Sequence, residues 1–561
     1  MTSIARLTAA VEDQSQFVVG DILWAMRKSL INLGVLSIAT HLKRIGLETV
    51  HAYYPAMRGK KIVRPYDLIG LSCNETTVAA CLDRIRELRR KLGPGPLIVV
   101  GGPGIANWWK WHLDAGADGV IMGDGQYPLT DLLVLILDST GDGRATLRAA
   151  FERARETGRL ACIRDFAYVE PSGEMRRNDP QGLVRNLDEY SPVDYSLIVG
   201  YAREYTKCVQ HSSGCVYRCD FCSSVVNQRY CYRMVSVKRL LDDLEQAQRE
   251  GYTELFLASD LFLPGGADYN RKFLSEIVEG RKQRRLRIKM SSQTTVSSLH
   301  NLLFKNVGTK DEPRWEYDEE GMRLMKDARI RRWALGVEAL SEEERARLGK
   351  DPRQARSDAT RTLAALFQLG ISVHAMMMVH EETTYERALE VGRALSDVGV
   401  GSVQFFHPVP VPTTPWGASL FERGGVVLES VGGEDVGVSR FTGEYVVAAE
   451  KPERAVFAIE ACYDSFTSLG GILRDLKSRS RLDNAVLKLG VKLLVTARRY
   501  LSPQYYEYMY NILKGNYTYR HKSEPLEPGA PLSAAGRMRL SFKLARLLRE
   551  RRKQARLVGA R

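Results

Sequence analysis

The stretch HSSGCVYRCDFCSS, residues 211–224, carries Cys215, Cys219 and Cys222 in the spacing C-x3-C-x2-C. Thiolates are the usual protein ligands of iron–sulfur clusters. Three of them hold three irons of a [4Fe–4S] cluster and leave the fourth iron open. A structural zinc ion or a closed cluster wants four protein ligands, so neither fits as well. Cys208 and Cys231 flank the loop and stand near enough in sequence to supply a fourth ligand. Their plainer reading is buried apolar thiols.

On both sides of this loop the chain alternates short apolar runs with helical periodicity. Downstream, SVKRLLDDLEQAQREG (236–251) reads as a helix stopped by glycine. VQHSSG (209–214), ELFLASD (254–260), RIKMSSQ (287–293), RRWALGVEA (331–339), SVHAMMMV (372–379) and SVQFFHPV (402–409) read as strands. Six strand–helix units of this kind predict a partial or full parallel barrel.

Upstream, QFVVGD (16–21), LETVHAYYP (47–55), YDLIGLSC (66–73), PLIVVGG (96–102) and DGVIMGDG (118–125) read as strands. Helices are expected at 33–46, 77–93 and 128–139. The alternation predicts an α/β, doubly wound, Rossmann-like sheet. Ligands of such sheets bind beyond the carboxyl ends of the strands. Three loops fall there: Ser72-Cys73-Asn74, Gly101-Gly102-Pro103-Gly104 and Gly123-Asp124-Gly125-Gln126. Glycines at those ends let backbone approach a bulky ligand. Residues 182–197 read as a connector, and those after 425 as mostly helical, with a Pro-rich linker (521–533) before a basic tail. The expected domains are 1–165, 166–425 with the connector, and 426–561.

The cysteine triplet, with the aromatic Phe221 before its last member, resembles the radical S-adenosylmethionine (SAM) superfamily. That resemblance implies an incomplete (β/α)6 barrel whose cluster binds and reductively cleaves S-adenosylmethionine. It further implies that the Phe221 backbone contacts the adenine. Ala258-Ser259-Asp260 stands where the family has Gly-Gly-Glu, which puts Asp260 near the methionyl amine. GVEA (336–339) resembles the family's fourth-strand motif, so Glu338 would meet the ribose or methionyl end. An interior ion pair is an equal reading of Glu338, with Lys350 and Arg353 in the same loop region. PVPVPTTPWG (408–417) resembles the barrel-closing segment, with Thr413 in place of its glycine.

The first segment resembles the cobalamin-binding domain that precedes many such barrels. Its motifs stand here as Leu33-Gly34, LIGLS, VVGGP and GDGQ. The resemblance makes Ser72, Gly101, Gly102, Pro103, Gly123 and Gly125 cobalamin contacts. D-x-H-x-x-G is absent, so no histidine is expected below the cobalt. The two resemblances together imply a methylase of an unactivated carbon, or of phosphorus, in a small-molecule biosynthetic intermediate. A cyclase or ring-rearranging enzyme with the same cofactors is the alternative. An external electron donor such as flavodoxin or ferredoxin is implied, and the C-terminal domain would cap the substrate space.

The 561 residues carry a formal net charge of +14, much of it in RKQRRLRIK (281–289) and the tail from Arg537. A basic surface attracts RNA, but a solvated helical face is the plainer explanation. Methylthiotransferases, which modify tRNA, carry a further cysteine-bound cluster in the N-terminal domain. Cys73, Cys81 and Cys162 do not match that pattern, and nucleic acid is not expected as a partner. The nine cysteines are odd in number and no secretory h-region opens the chain, so reduced thiols and a cytoplasmic location are expected. No apolar run reaches the ~18–20 residues of a membrane span.

Overall fold

The computed structural model describes residues 7–14, 31–55, 60–74, 77–103, 105–138, 146–200, 207–309, 312–352, 358–380, 382–426, 429–431, 434–436, 452–477 and 482–501. Gly104, Arg353, the QFVVGD stretch, the Pro-rich linker and the basic tail lie outside the described residues.

The first domain is a seven-stranded sheet in the order β2-β1-β3-β4-β5-β6-β7. Its strands are β1 (Thr8–Asp13), β2 (Thr49–Tyr53), β3 (Leu68–Ser72), β4 (Leu97–Gly101), β5 (Gly119–Ile121), β6 (Phe166–Val169) and β7 (Met175–Arg177). The first five pair in parallel, and β6 and β7 add antiparallel at the far edge. Helices α1 (Leu33–Arg44), α2 (Val78–Leu92) and α3 (Trp109–Asp114) lie between parallel strands, and α4 (Gln126–Asp138) follows β5. α1 and α4 bury Leu36, Leu42, Leu132 and Ile136 on one face. α2 and α3 bury Leu82, Ile85, Leu88 and Leu113 on the other. The order reverses between β1 and β3, which creates the switch point where such sheets bind ligands.

β1 is absent from the strands read in the sequence. Its segment, TAAVED, ends in two carboxylates, a composition that argues against a buried strand. The structure removes the objection. Glu12 is fully buried, and Arg84 of α2 pairs with it at 2.7 Å and 2.8 Å.

The second sheet is six-stranded and wholly parallel: β8 (Lys207–Gln210), β9 (Glu254–Ala258), β10 (Lys289–Thr295), β11 (Ile330–Glu338), β12 (Ser372–Met378) and β13 (Ser402–Phe406). Each strand lies beside its sequence neighbour, so β8 and β13 are the two edges of an unclosed barrel. Leu257, Met290, Trp333, Leu335 and Ala375 fill its core.

Both edges meet tyrosines from outside the barrel. At β8 the Tyr195 hydroxyl donates to the Cys208 carbonyl at 2.7 Å and accepts from the Cys208 amide at 2.6 Å. At β13 the Phe405 amide donates to the Tyr463 hydroxyl at 3.1 Å. Tyr195 belongs to the connector, which continues to Ile198 and bridges to Ala52 on β2. Tyr463 lies on the helix Pro452–Phe466, which packs so closely on the helix Tyr385–Asp397 that a Cβ on Gly392 would stand 2.3 Å from the Cys462 carbonyl oxygen. Helices Leu469–Leu476 and Leu482–Leu501 complete the helical region. No helix among the described residues is long and apolar enough to cross a membrane.

Candidate functional site

β8 leads into the cysteine loop through Gly214, whose φ is 82° and whose added Cβ would stand 1.9 Å from the Cys231 carbonyl oxygen. Only glycine tolerates both conditions. The loop is held from three sides. Asp260 accepts from the Gly214 amide at 2.6 Å and the Ser224 hydroxyl at 3.3 Å. The Asp220 amide donates to the Gly349 carbonyl at 2.9 Å, and the Trp416 amide to the Asp220 carbonyl at 3.1 Å. Asp351 accepts from the Arg218 amide at 2.9 Å, and its own amide reaches the Cys219 Sγ at 3.5 Å.

Cys215, Cys219 and Cys222 are half-buried within this frame. Burial pushes the Cys215 and Cys219 thiols up to about 12 and raises Cys222 as well. As free groups they stay neutral, and a bound iron cluster is what compensates their thiolate charge there. Three thiols on one loop supply three of the four iron ligands and leave the fourth iron open. The donor set therefore fits [4Fe–4S].

The structure gives Asp260 a bracing position at the loop, and burial raises its pKa. Glu338 ends β11 with φ 58° at a register break and pairs with Lys350, which also donates to the Gly336 carbonyl at 3.0 Å. The interior ion pair read in the sequence is thus present. Phe221 is half-buried in the loop. His374 bonds to Ser402 and His407 to the Val379 carbonyl.

A cavity of about 400 Å³ opens at the switch point of the first sheet. Ser72, Gly101, Gly102, Pro103, Gly123 and Gly125 all line it, so the structure brings these six together. Gly102 has φ 127°, and a Cβ there would stand 2.0 Å from the Cys73 carbonyl oxygen. These glycine turns bring backbone up to the cavity, and a large planar cofactor such as cobalamin fits against such a wall.

The opposite wall comes from the barrel. Gln210 and Ser213 precede the cysteines, Val226 to Arg229 follow them, and Arg233 and Thr413 complete it. The cysteines, Phe221, Asp260 and Glu338 are not among the lining residues, but the chain on both sides of the loop is. Arg229 reaches Asp165 at 2.7 Å and Arg233 reaches Asp124 at 2.5 Å. Sequence reasoning missed both arginines, because their meaning depends on acids more than sixty residues away. Among the described residues the lining ends at Thr413, and the C-terminal helices pack on the outside of the barrel. The expected C-terminal cap over the cavity is therefore not seen among the described residues.

Residues 25–133 match the B12 binding domain, and residues 209–404 match the radical SAM superfamily. The uncharacterized methyltransferase PH0819 of Pyrococcus horikoshii is 24% identical over 254 residues, 44% of this chain and 50% of that protein. The 4'-phospho-dehydrooxetanocin synthase of Priestia megaterium is 26% identical over 229 residues, 39% of this chain and 29% of that protein. The matched region thus spans half or less of these relatives. Among solved structures, the radical S-adenosylmethionine methyltransferase TsrM of Kitasatospora setae with cobalamin and a [4Fe–4S] cluster matches with TM-score 0.56 at 16% identity, covering 76% of this chain and 81% of that one. The cobalamin-dependent S-adenosylmethionine radical enzyme OxsB with aqua-cobalamin and S-adenosylmethionine matches with TM-score 0.55 at 16% identity, covering 99% of this chain and 81% of that one. These likenesses establish the fold, and the two domain matches establish the cofactors as [4Fe–4S], S-adenosylmethionine and cobalamin. With a B12 binding domain ahead of a radical SAM domain, the chain belongs to the cobalamin-dependent radical SAM enzymes.

Proposed function

We propose that this enzyme methylates an unactivated carbon, or phosphorus, of a small-molecule biosynthetic intermediate. One observation carries the reading. The cavity walled by Gly101-Gly102-Pro103 and Gly123-Asp124-Gly125 is closed on its other side by the segments flanking the cysteine loop. A substrate bound between them would meet both cofactors. When bound, the cluster and cobalamin supply radical generation and methyl transfer.

The chain's own residues do the positioning. Cys215, Cys219 and Cys222 would hold the cluster, with Asp260 and Asp351 fixing the loop that presents them. Phe221, Asp260 and Glu338 would border S-adenosylmethionine, with Lys350 holding the Glu338 carboxylate in place. Ser72, Gly101, Gly102, Pro103, Gly123 and Gly125 would receive cobalamin. Arg229 and Arg233 tie the two walls together. Electrons would come from an external donor such as flavodoxin or ferredoxin.

A cyclase or ring-rearranging outcome is the second reading. Anaerobic reconstitution with iron, sulfide and cobalamin, followed by product mass on candidate substrates, separates the two. A gain of one methylene supports methylation, and turnover without it supports rearrangement. A chain with no cobalamin absorption bands would overturn both.

A further inference from the structure

Outside the cofactor cavity, Cys73, Cys81 and His112 meet in the core of the first domain. Cys73 follows β3, Cys81 lies on α2 and His112 on α3. All three are fully buried. The two sulfurs and an imidazole nitrogen lie within 4.8 Å of one another, and no other such set of three is found among the described residues.

The tautomer of His112 points to a ligand. Its Nδ1 lies 2.7 Å from the Trp108 carbonyl oxygen, which can only accept. Nδ1 therefore carries the proton, and Nε2 presents a lone pair. That Nε2 is buried and meets no nitrogen or oxygen partner, with the Cys73 thiol beside it. A ring nitrogen anchored to a backbone carbonyl, with the other left as a bare acceptor beside two thiols, is the arrangement of a metal-bound histidine. Without a metal, only the weak S–H donor of a thiol is there to meet that lone pair.

We propose that Cys73, Cys81 and His112, with an oxygen of Asn74 or Thr77 as the fourth ligand, bind one structural zinc ion. Two sulfur donors and one imidazole suit zinc(II) in number and softness. The charge also balances. Both thiols lose a proton to solvent on binding, and two thiolates with one Zn²⁺ sum to zero, which an apolar core accepts. Oxygen donors for a fourth position stand beside Cys73. The Asn74 carbonyl lies 3.2 Å and the Thr77 hydroxyl 3.7 Å from its sulfur.

The site has a consequence for the cavity. The Cys73 amide donates to the Gly101 carbonyl at 2.9 Å, and the Cys73 carbonyl fills the space that a side chain on Gly102 would take. An ion on Cys73 therefore fixes the strand ends that line the cobalamin cavity. The zinc is a staple behind that wall, not a participant in the reaction.

The test uses the full chain, expressed with zinc supplementation and loaded with cluster and cobalamin. Elemental analysis is expected to find about one zinc per chain, and zinc K-edge absorption a shell of two sulfurs with nitrogen or oxygen. Cys81→Ser and His112→Gln are expected to lower zinc content at least ~10-fold after dialysis, while iron is retained. A Cys215/Cys219/Cys222→Ala variant is expected to lose iron and keep zinc. Zinc below about a tenth of an equivalent in the unmodified chain would overturn the site even if the variants fail to fold. Zinc that disappears with the cluster cysteines, or a Cys73–Cys81 disulfide found by thiol alkylation and mass, would also overturn it.

Discussion

The Arg233 guanidinium, from the segment after the cysteine loop, grips the Asp124 carboxylate between the two glycines Gly123 and Gly125 at 2.5 Å. Its side chain is 2% exposed, and it also donates to the Val184 carbonyl at 2.8 Å and to Gln228 at 2.6 Å. One side chain thus ties the glycine-turn wall of the cavity to the segment that follows the cysteine loop. Removing one partner of a buried pair costs about 3–5 kcal/mol, because the other charge is left uncompensated. Asp124 keeps some water contact, so Arg233→Ala is expected at the lower end, about 3 kcal/mol. Cobalamin affinity should fall with it. Thermal denaturation and equilibrium titration with cobalamin check both.

Gly102→Ala tests the glycine-turn wall. The new methyl would stand 2.0 Å from the Cys73 carbonyl oxygen at a φ of 127°. The backbone has to move, at a cost of about 2 kcal/mol or more. Loss of cobalamin binding by at least ~10-fold, with iron content unchanged, is the expected result. Unchanged binding would remove this turn from the cobalamin site.

Lys350→Met separates the two readings of Glu338. The lysine side chain is 2% exposed and the carboxylate 13%. An ion pair with a purely structural role predicts lower stability and unchanged S-adenosylmethionine affinity. A carboxylate positioned for that ligand predicts weaker binding, by about tenfold, at constant iron content. Calorimetric titration of the cluster-loaded chain reads the difference, and we expect the second result.

Acid stability should depend on buried imidazoles. Burial pushes His211 down to about 3, and His300 and His374 down to about 4, from the ordinary imidazole value of 6.5. Their folded values lie below the unfolded one, so the unfolded chain takes up protons first. The stability they contribute is present above 6.5 and is lost as the pH falls toward 4. Lowering the pH from 7 to 5 should cost about 2 kcal/mol per histidine. His374→Gln keeps a polar partner for Ser402 and should remove one such share. Urea midpoints across pH, compared between variant and parent, check this.

Much of the molecule was legible in the sequence because apolar periodicity and cysteine spacing are local signals. The six barrel strands, the helices of the first domain and the glycine turns at the strand ends all have such signatures. β1 did not, since the burial of Glu12 depends on Arg84, seventy-two residues away. The segment Phe166–Arg177 was not read as strand, because its antiparallel pairing to β5 is set by tertiary contact. Arg229, Arg233 and the Cys73–Cys81–His112 group share that reason. Each is an ordinary residue until folding brings its partner within reach.

The tyrosines at the two barrel edges bear on what can be cut out of this chain. A raw strand edge exposes amides and carbonyls that invite another strand. Here a phenolic hydroxyl supplied by the connector occupies one edge, and another supplied by the C-terminal helices occupies the other. Neither guard belongs to the barrel. The radical SAM segment is therefore not a portable module. Excised between residues 207 and 425, it would present two unguarded templates for self-association, and its protection from that is lent by its neighbours on either side.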